Sequence, residues 1–296
     1  MIVVKLIGGL GNQMFQYATG RSLALRRNAE FKMDITGYAH QAGVDTPREY
    51  ALRPFNVIEK FASEADIAKA KGVPKFLQRD GYFYKRLADI IEAKAGRNIV
   101  QRGNSFEPDV IDAGDGRYLS GYWQSEKYFT DAGDALRREF MLKDEAGTAH
   151  RPVSAEIKNS ASVSLHVRRA DYVTNPAAKA FHGTCSPEYY YGAAKIIIER
   201  VKNPHFFVFS DDIGWVKKNL NINQPVTYVS DSGLIDCEEL TLMSRCSHHI
   251  IANSSFSWWG AWLNPRPNKI VIAPKKWLSD PKIDTSDLIP DGWIRI

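Results

Sequence analysis

Short apolar runs alternate with helix-forming stretches through the second half of the chain. Strands are predicted at residues 161–168, 205–209, 226–229, 249–252 and 269–273. Helices are predicted at residues 187–202, 238–246 and 254–263, with a short helix after residue 212. Such an alternation predicts a parallel sheet covered by helices on both faces. Ligands of these sheets bind at the carboxyl ends of the strands, so polar residues that follow a strand are candidates for a site.

The first half of the chain opens in a similar way. An apolar run at residues 2–7 stops at a glycine turn, and a helical pattern follows, as at the start of an α/β unit. The region from about residue 37 to residue 115 shows little hydrophobic periodicity, so few of its strands and helices can be predicted. A polar stretch with Gly and Pro at residues 143–155 indicates a domain boundary, which predicts domains at 1–150 and 151–296.

Composition narrows the class of protein. The chain of 296 residues is 44% apolar and 25% charged, and its net charge is only +5, too small an excess to indicate nucleic-acid binding. The three cysteines form no CxxC pair, which predicts free thiols in a reducing cytoplasm. No apolar run approaches the ~20 residues that span a bilayer, so we expect a cytoplasmic bacterial protein.

The glycine turn is the first candidate for chemistry. Gly9 and Gly11 precede a helix, where backbone N–H groups can approach an anion, although the turn can also be purely structural. The side-chain amides of Asn12 and Gln13 suit the hydroxyls of a sugar. The dinucleotide fingerprint fails because Met14 stands where its third glycine is required, which argues against NAD or FAD.

A polar cluster at the end of the strand near residue 166 is the second candidate. His166 and Arg168 alternate onto the same face of that strand. A neutral imidazole can hydrogen-bond a base or a phosphate, and a guanidinium can bind a diphosphate bidentately. The structural alternative is that Arg168 or Arg169 simply pairs with Asp171.

Two aspartates follow the next strand. Asp211 or Asp212 could accept the two N–H bonds that a guanine edge offers. The same carboxylates could bind a metal ion through oxygen, or one of them could cap the helix that follows. The sequence leaves these three interpretations open.

The segment at residues 253–262 is the last candidate. Small polar residues, among them Ser254 and Ser255, open a helix, and a helix N-terminus is suited to anions. Its tryptophans are predicted to pack in the core rather than to stack on a sugar. A basic strand end, a hydroxyl-rich helix start and a carboxylate would together suit a nucleoside diphosphate held without a metal.

Three motifs, at residues 8–17, 166–172 and 253–260, resemble those of the bacterial α1,2-fucosyltransferases of glycosyltransferase family 11, in the same order and spacing. The resemblance extends over most of the chain, and residues 209–212 fall between the second and third motifs as expected. It implies a GT-B fold, an α/β architecture of two Rossmann-like domains that face a cleft. Residues 1–150 would form the acceptor-side domain and residues 151–296 the GDP-fucose-binding domain.

The resemblance also implies residue roles. Arg168 would bind the β-phosphate and is the main catalytic candidate, while His166 would lie near the guanosine. Asp171 is a second catalytic candidate, although it could instead orient Arg169. Asp211 or Asp212 would bind guanine. The remaining implied contacts are Ser254, Ser255 and Phe256 at the phosphates and nucleoside, and Gly9, Gly11, Asn12 and Gln13 near the reacting sugar.

The implied reaction is transfer of L-fucose from GDP-β-L-fucose, with inversion, to O2 of a terminal β-galactose in a surface glycan such as an O-antigen repeat. Neither a metal nor another cofactor is expected. A lipid-linked acceptor and peripheral contact with the inner membrane are compatible with this function. The alternatives are another linkage (α1,6 or α1,3), another GDP-sugar such as GDP-mannose, an inactive nucleotide-sugar-binding protein, and a metal-dependent hydrolase using Asp211 and Asp212.

Overall fold

In a computed structural model the chain divides into two compact units. The structure describes residues 1–39, 47–77, 82–144 and 150–296. Unit 1 comprises Met1–Met141 with Ser286–Leu288, and unit 2 comprises Leu142–Thr285 with Ile289–Ile296. The chain thus passes to unit 2 before the predicted boundary at residue 150, and it returns briefly to unit 1 near its end. The predicted α/β class, with two Rossmann-like units as in the GT-B fold, is confirmed.

Unit 1 contains a parallel sheet with the strand order β2-β1-β4-β3. Its strands are β1 (Ile2–Lys5), β2 (Phe31–Asp34), β3 (Asn98–Val100) and β4 (Arg117–Ser120). Its helices are α1 (Leu10–Arg26), α2 (Glu64–Lys71), α3 (Tyr82–Ala95), α4 (Pro108–Ile111) and α5 (Gly133–Glu139). Helix α1 is buried along most of its length, so it forms the core of the unit with the sheet.

Unit 2 contains a second parallel sheet, with the strand order β10-β9-β8-β5-β6-β7. Its strands are β5 (Ala161–Val167), β6 (Pro204–Ser210), β7 (Val226–Tyr228), β8 (His248–Ile250), β9 (Val271–Ala273) and β10 (Ile294–Arg295). Its helices are α6 (His150–Lys158), α7 (Ala170–Thr174), α8 (Pro176–His182), α9 (Pro187–Arg200), α10 (Ile213–Asn219), α11 (Asp236–Arg245) and α12 (Ser255–Leu263).

The two faces of β5 differ in chemistry. Val163, Leu165 and Val167 point to one face and pack in an apolar cluster with residues of α9 and β6. Ser164 and His166 alternate onto the other face, and both are buried. The second face therefore carries polar groups inside the unit, and each of them needs a hydrogen-bond partner.

Most of the strands and helices predicted for unit 2 are confirmed. Helix α9 begins at Pro187, directly after Ser186, as the helix-start pattern predicts. Some elements were missed, namely β10, the short helices α7 and α8 that follow β5, and α6, which lies partly in the polar stretch predicted as a domain boundary. In unit 1, α5 is preceded by two 3₁₀ turns, at Glu126–Tyr128 and Thr130–Ala132.

The three cysteines, Cys185, Cys237 and Cys246, are free thiols, as their spacing predicted. Two of them are buried, so they pack as small apolar side chains. Among the helices of the described residues, none combines the length and the apolar character that crossing a membrane requires.

Helices α11 and α12 approach closely at Gly260. A Cβ atom at this position would lie 2.8 Å from Cγ and 3.1 Å from Cβ of Met243. We expect Gly260→Ala to lower the free energy of unfolding by about 1–3 kcal/mol through overpacking. Gly214→Ala is the matched control in α10 of the same unit, because nothing lies within 4 Å of its added Cβ.

The control should raise the stability by about 0.4–1 kcal/mol through helix propensity and a smaller unfolded-state entropy. Urea unfolding of the two variants measures both effects. Equal changes in stability would contradict the close-contact explanation.

Candidate active site

The carboxyl ends of β5 and β6 bring a basic and an acidic side chain together. Val167 is paired with Ser210 in the parallel sheet, so the residues that follow them are neighbours. Nη1 of Arg168 lies 2.9 Å from Oδ2 of Asp211, and both side chains are mostly buried. Two residues predicted separately from the sequence therefore form one ion pair at the strand ends.

Arg169 strengthens the same junction. Its backbone N–H donates to Oδ1 of Asp211 at 2.8 Å, and its Nε donates to Oδ2 of Asp212 at 3.1 Å. The Arg169 guanidinium also stacks on Trp215, 3.9 Å from the ring centre. Each arginine is thus paired with an aspartate of the neighbouring strand end. Asp171 has its backbone in α7, and its side chain lies outside the described part of the structure.

Asp212 has a structural role at the start of α10. Its Oδ1 accepts the N–H of Trp215 at 3.1 Å, so it is the N-cap of this helix. Of the three interpretations of the aspartate pair, capping is thus confirmed for Asp212. No cluster of three or more potential metal-ligating side chains occurs among the described residues. Recognition of guanine by Asp211 or Asp212 stays a prediction.

His166 is a buried imidazole without a protein partner for one nitrogen. The residue is 4% exposed, and its Nδ1 has no hydrogen-bond partner within the described ranges. Burial, together with the positive charge of Arg168, lowers the pKa of His166 to about 3. The imidazole is therefore neutral at physiological pH. Its ring centre lies 5.6 Å from that of Phe256, the second residue of α12.

The segment that opens α12 contains buried side chains and, at the start of the helix, backbone N–H groups that could bind a ligand. Ser254 is the buried N-cap of α12, and its side chain makes no capping hydrogen bond. Ser255 and Phe256 form the start of the helix, where backbone N–H groups point outward along its axis. The tryptophans of the segment are buried and contact one another, so the predicted core role is confirmed.

Asn253, just before this helix, joins three loops of unit 2. Its Nδ2 donates to the carbonyl oxygens of His182, Gly183 and Trp277 at 3.0, 3.3 and 3.2 Å. The side chain is almost completely buried. Asn253 therefore fixes the loop that carries Ser254, rather than offering its amide to a ligand.

The glycine motif of unit 1 is a tight turn held by Gln13. Gly9 is the N-cap of α1, and Gly8 has a positive φ of 76°. Nε2 of Gln13 donates to the carbonyls of Gly8 (2.9 Å) and Glu49 (2.7 Å), and its Oε1 accepts the N–H of Ala51 at 2.8 Å. Since Gln13 is fully buried, its amide stabilises the turn; the predicted contact with a sugar stays a prediction.

Two further side chains of unit 1 lie at this turn, and sequence reasoning missed both. Nε2 of Gln124 donates to Oδ1 of Asn12 at 2.7 Å, and the guanidinium carbon of Arg48 would lie 3.9 Å from a Cβ atom on Gly9. Gly11 lies in the first turn of α1.

A third residue missed from the sequence is Glu239, in the first turn of α11. Its side chain hydrogen-bonds to Ser230, whose Oγ accepts the N–H of Ser210 at the end of β6. Burial, with smaller contributions from the charges of Asp236 and Asp211, raises the pKa of Glu239 to about 7. From the sequence alone, Glu239 is one of several acidic residues in a helix.

Replacing Asn253 by Ala should destabilise the protein, because the three carbonyl oxygens lose their shared donor. We expect a loss of about 1–3 kcal/mol in the free energy of unfolding, measured by urea titration. Asn159→Ala, at an exposed position of the same unit, is the control and should change stability by less than about 0.5 kcal/mol. A stable Asn253→Ala variant would mean that water replaces the amide at no cost.

Comparisons with known proteins bear on this site. The family described as "Glycosyl transferase family 11" matches residues 101–296. An Escherichia coli alpha-1,2-colitosyltransferase is 33% identical, and the match covers 100% of this chain and 99% of that protein. The E. coli O-antigen biosynthesis glycosyltransferase WbnK is 31% identical over 98% of this chain and 99% of its own length.

A more distant relative is the mouse galactoside 2-alpha-L-fucosyltransferase Sec1, which is 26% identical over 89% of this chain and 64% of its own length. The family match covers more than half of the chain, and both bacterial relatives align over almost its whole length. The chain therefore belongs to glycosyltransferase family 11 and is a glycosyltransferase.

Proposed function

We propose that the protein is an inverting α1,2-fucosyltransferase. It transfers L-fucose from GDP-β-L-fucose to O2 of a terminal β-galactose in a surface glycan such as an O-antigen repeat. The observation that carries this proposal is the arginine-aspartate junction at the ends of β5 and β6, next to a neutral buried imidazole. Such a junction suits a diphosphate leaving group and the nucleoside attached to it.

The names of the relatives support the linkage and the acceptor. The colitosyltransferase and the mouse enzyme both carry an α1,2 linkage in their names, and WbnK is named for O-antigen biosynthesis. The mouse enzyme is named for an L-fucosyl donor and a galactoside acceptor. If the acceptor is lipid-linked, as an O-antigen precursor would be, the protein would work at the surface of the inner membrane.

Arg168 is the proposed electrostatic catalyst. Negative charge grows on the diphosphate as the bond to the sugar breaks, and a fixed guanidinium stabilises the transition state more than the ground state. Asp211 holds Arg168 in position, so little reorganisation is needed during the reaction. The N–H groups at the start of α12 add a second set of donors for phosphate oxygens.

Inversion follows from a single displacement at the sugar. The acceptor O2 attacks the anomeric carbon from the face opposite to GDP, the bond to the β-phosphate breaks, and the acceptor hydroxyl loses its proton. We propose Asp171, the carboxylate of the second motif, as the group that takes this proton. The positive charges of the arginines replace a metal ion, so we propose that neither a metal nor another cofactor takes part.

A second donor has specific support. The relative with 33% identity over the whole chain is named as a colitosyltransferase. A colitosyl group is an L-fucosyl group that lacks the 3-hydroxyl, so the two transfers share the same anomeric chemistry, and we propose the same nucleotide for both donors. GDP-colitose is therefore the alternative donor, and a direct comparison of the two GDP-sugars decides between them.

Replacing Arg168 by Ala should reduce turnover about 10²–10³-fold, because the leaving diphosphate loses its main counter-charge. The assay measures GDP release from GDP-fucose in EDTA, with and without lactose or Galβ1-3GalNAc. Arg200→Ala, at an exposed position of α9, is the matched control and should retain wild-type turnover. Release that depends on the acceptor and persists in EDTA would support both the reaction and its independence of metals.

A different outcome is that the wild-type protein reacts with GDP-colitose but does not turn over GDP-fucose with any β-galactoside acceptor. That outcome would identify GDP-colitose as the donor and contradict the fucosyl assignment. Complete loss of activity in EDTA, restored by a divalent cation, would contradict the metal-free mechanism. Linkage analysis of the product tests the α1,2 assignment separately.

Asp171→Asn should lower kcat by about 10²-fold or more, since the variant keeps the shape of the side chain but cannot accept the proton. The affinity for GDP, measured by calorimetry, should stay at the wild-type value. Unchanged kcat in this variant would show that the acceptor loses its proton without help from Asp171.

A further inference from the structure

The two aspartates at the strand ends are already engaged by groups of unit 2. Asp211 accepts from Arg168 and from the backbone of Arg169, and Asp212 accepts from Arg169 and caps α10. A nucleobase that bound either carboxylate would compete with these hydrogen bonds for the same oxygens. Since they hold the arginines in position, base recognition calls for a different carboxylate at the same edge of the sheet.

Glu239 is such a carboxylate. Its hydrogen bond to Ser230 ties it to β6, because Ser230 Oγ accepts the N–H of Ser210, the last residue of that strand. The electrostatic influence of Asp211 on Glu239 also places the two side chains near each other. Glu239 therefore lies at the carboxyl edge of the sheet, close to the junction that would hold the diphosphate.

An apolar cluster links Glu239 to the side of His166. Glu239 and Met243 are one turn apart on the same face of α11. Met243 belongs to a buried cluster against which Phe256 packs, and the ring of Phe256 lies 5.6 Å from that of His166. A flat, apolar group resting on Phe256 would thus have a carboxylate near one side and an imidazole near the other.

Two independent features support a ligand site in this region. The Nδ1 atom of His166 is buried and has no partner within the described residues, which is unfavourable unless a ligand supplies one. Glu239 is half-buried, and its burial raises its pKa to about 7. A half-buried carboxylate beside other negative charges carries a desolvation cost, and this pattern is typical of functional sites.

We propose that Glu239 recognises the nucleobase of the donor, accepting hydrogen bonds from N1–H and the 2-amino group of guanine while the ring rests on Phe256. Guanine is the common nucleobase that presents these two donors side by side, and a carboxylate matches both. The inference rests on the proposed function, since it takes a guanosine diphosphate sugar as the donor. It assigns base selection to α11 and leaves Asp211 and Asp212 to position the arginines.

Calorimetric titration of the full-length protein with GDP and with IDP tests this role. IDP lacks only the 2-amino group, so the ratio of the two affinities isolates one hydrogen bond to the carboxylate. We expect the wild-type protein to bind GDP about ten- to a hundredfold more tightly than IDP. Glu239→Gln should bind GDP more weakly and lose most of this preference.

Glu238→Gln is the matched control. It makes the same chemical change at the neighbouring position, where the side chain bonds to the N–H of Ile235 at the start of α11. The control should keep the wild-type preference. Glu239→Ala provides a second test if the glutamine variant fails to fold, and it should also bind GDP and IDP with similar affinity.

A Glu239 variant that keeps the preference for GDP over IDP would overturn the proposal. Loss of the preference in Asp211→Asn, with Glu239→Gln unaffected, would do the same and would return base recognition to the strand-end aspartates. Tight GDP binding by the wild-type protein without any preference over IDP would overturn the Glu239 assignment and leave the fucosyltransferase proposal intact. Absence of GDP binding would overturn both.

Discussion

The candidate site of unit 2 is organised by the hydrogen bonds and the ion pair of the Asp211 carboxylate. One of its oxygens receives the guanidinium of Arg168, and the other receives the backbone N–H of Arg169. These bonds join the ends of β5 and β6 just where each strand stops and its polypeptide turns away. The paired carboxylates offset the repulsion between two adjacent positive side chains at the edge of an apolar sheet. Under the proposed function, a diphosphate would find both guanidinium groups already oriented.

The sequence predicted the order of strands and helices in unit 2 because each strand is a short apolar run bounded by turn residues. It missed β10, which has only Ile294 and Arg295, and α7, which follows the arginines without an apolar stripe. Unit 1 was harder, in part because β3 and α4, which lie between β2 and β4, have only three and four residues. Periodicity carries little information in elements of three or four residues.

At the candidate site, the sequence identified motifs but could not separate binding groups from structural ones. Asn253 and Gln13 have the amide chemistry that a sugar would need, yet their amides bond to backbone groups of their own unit. Only the three-dimensional neighbours of an amide show whether it binds a ligand or holds the backbone. Glu239 shows the opposite case, since its burial and its tie to Ser230 are long-range features that a helical pattern does not reveal.

Residues 286–288 belong to unit 1, although they are separated from it in the sequence by almost all of unit 2. Asp287 accepts the backbone N–H of Phe106 at 2.9 Å and pairs with Lys127, so it contributes to the packing around Tyr128. A ribosome that has released residues 1–141 has therefore not yet supplied all of unit 1. Unit 1 acquires its last contacts only after almost all of unit 2 has been synthesised, and no single cut of the chain between residues 141 and 286 yields two intact units.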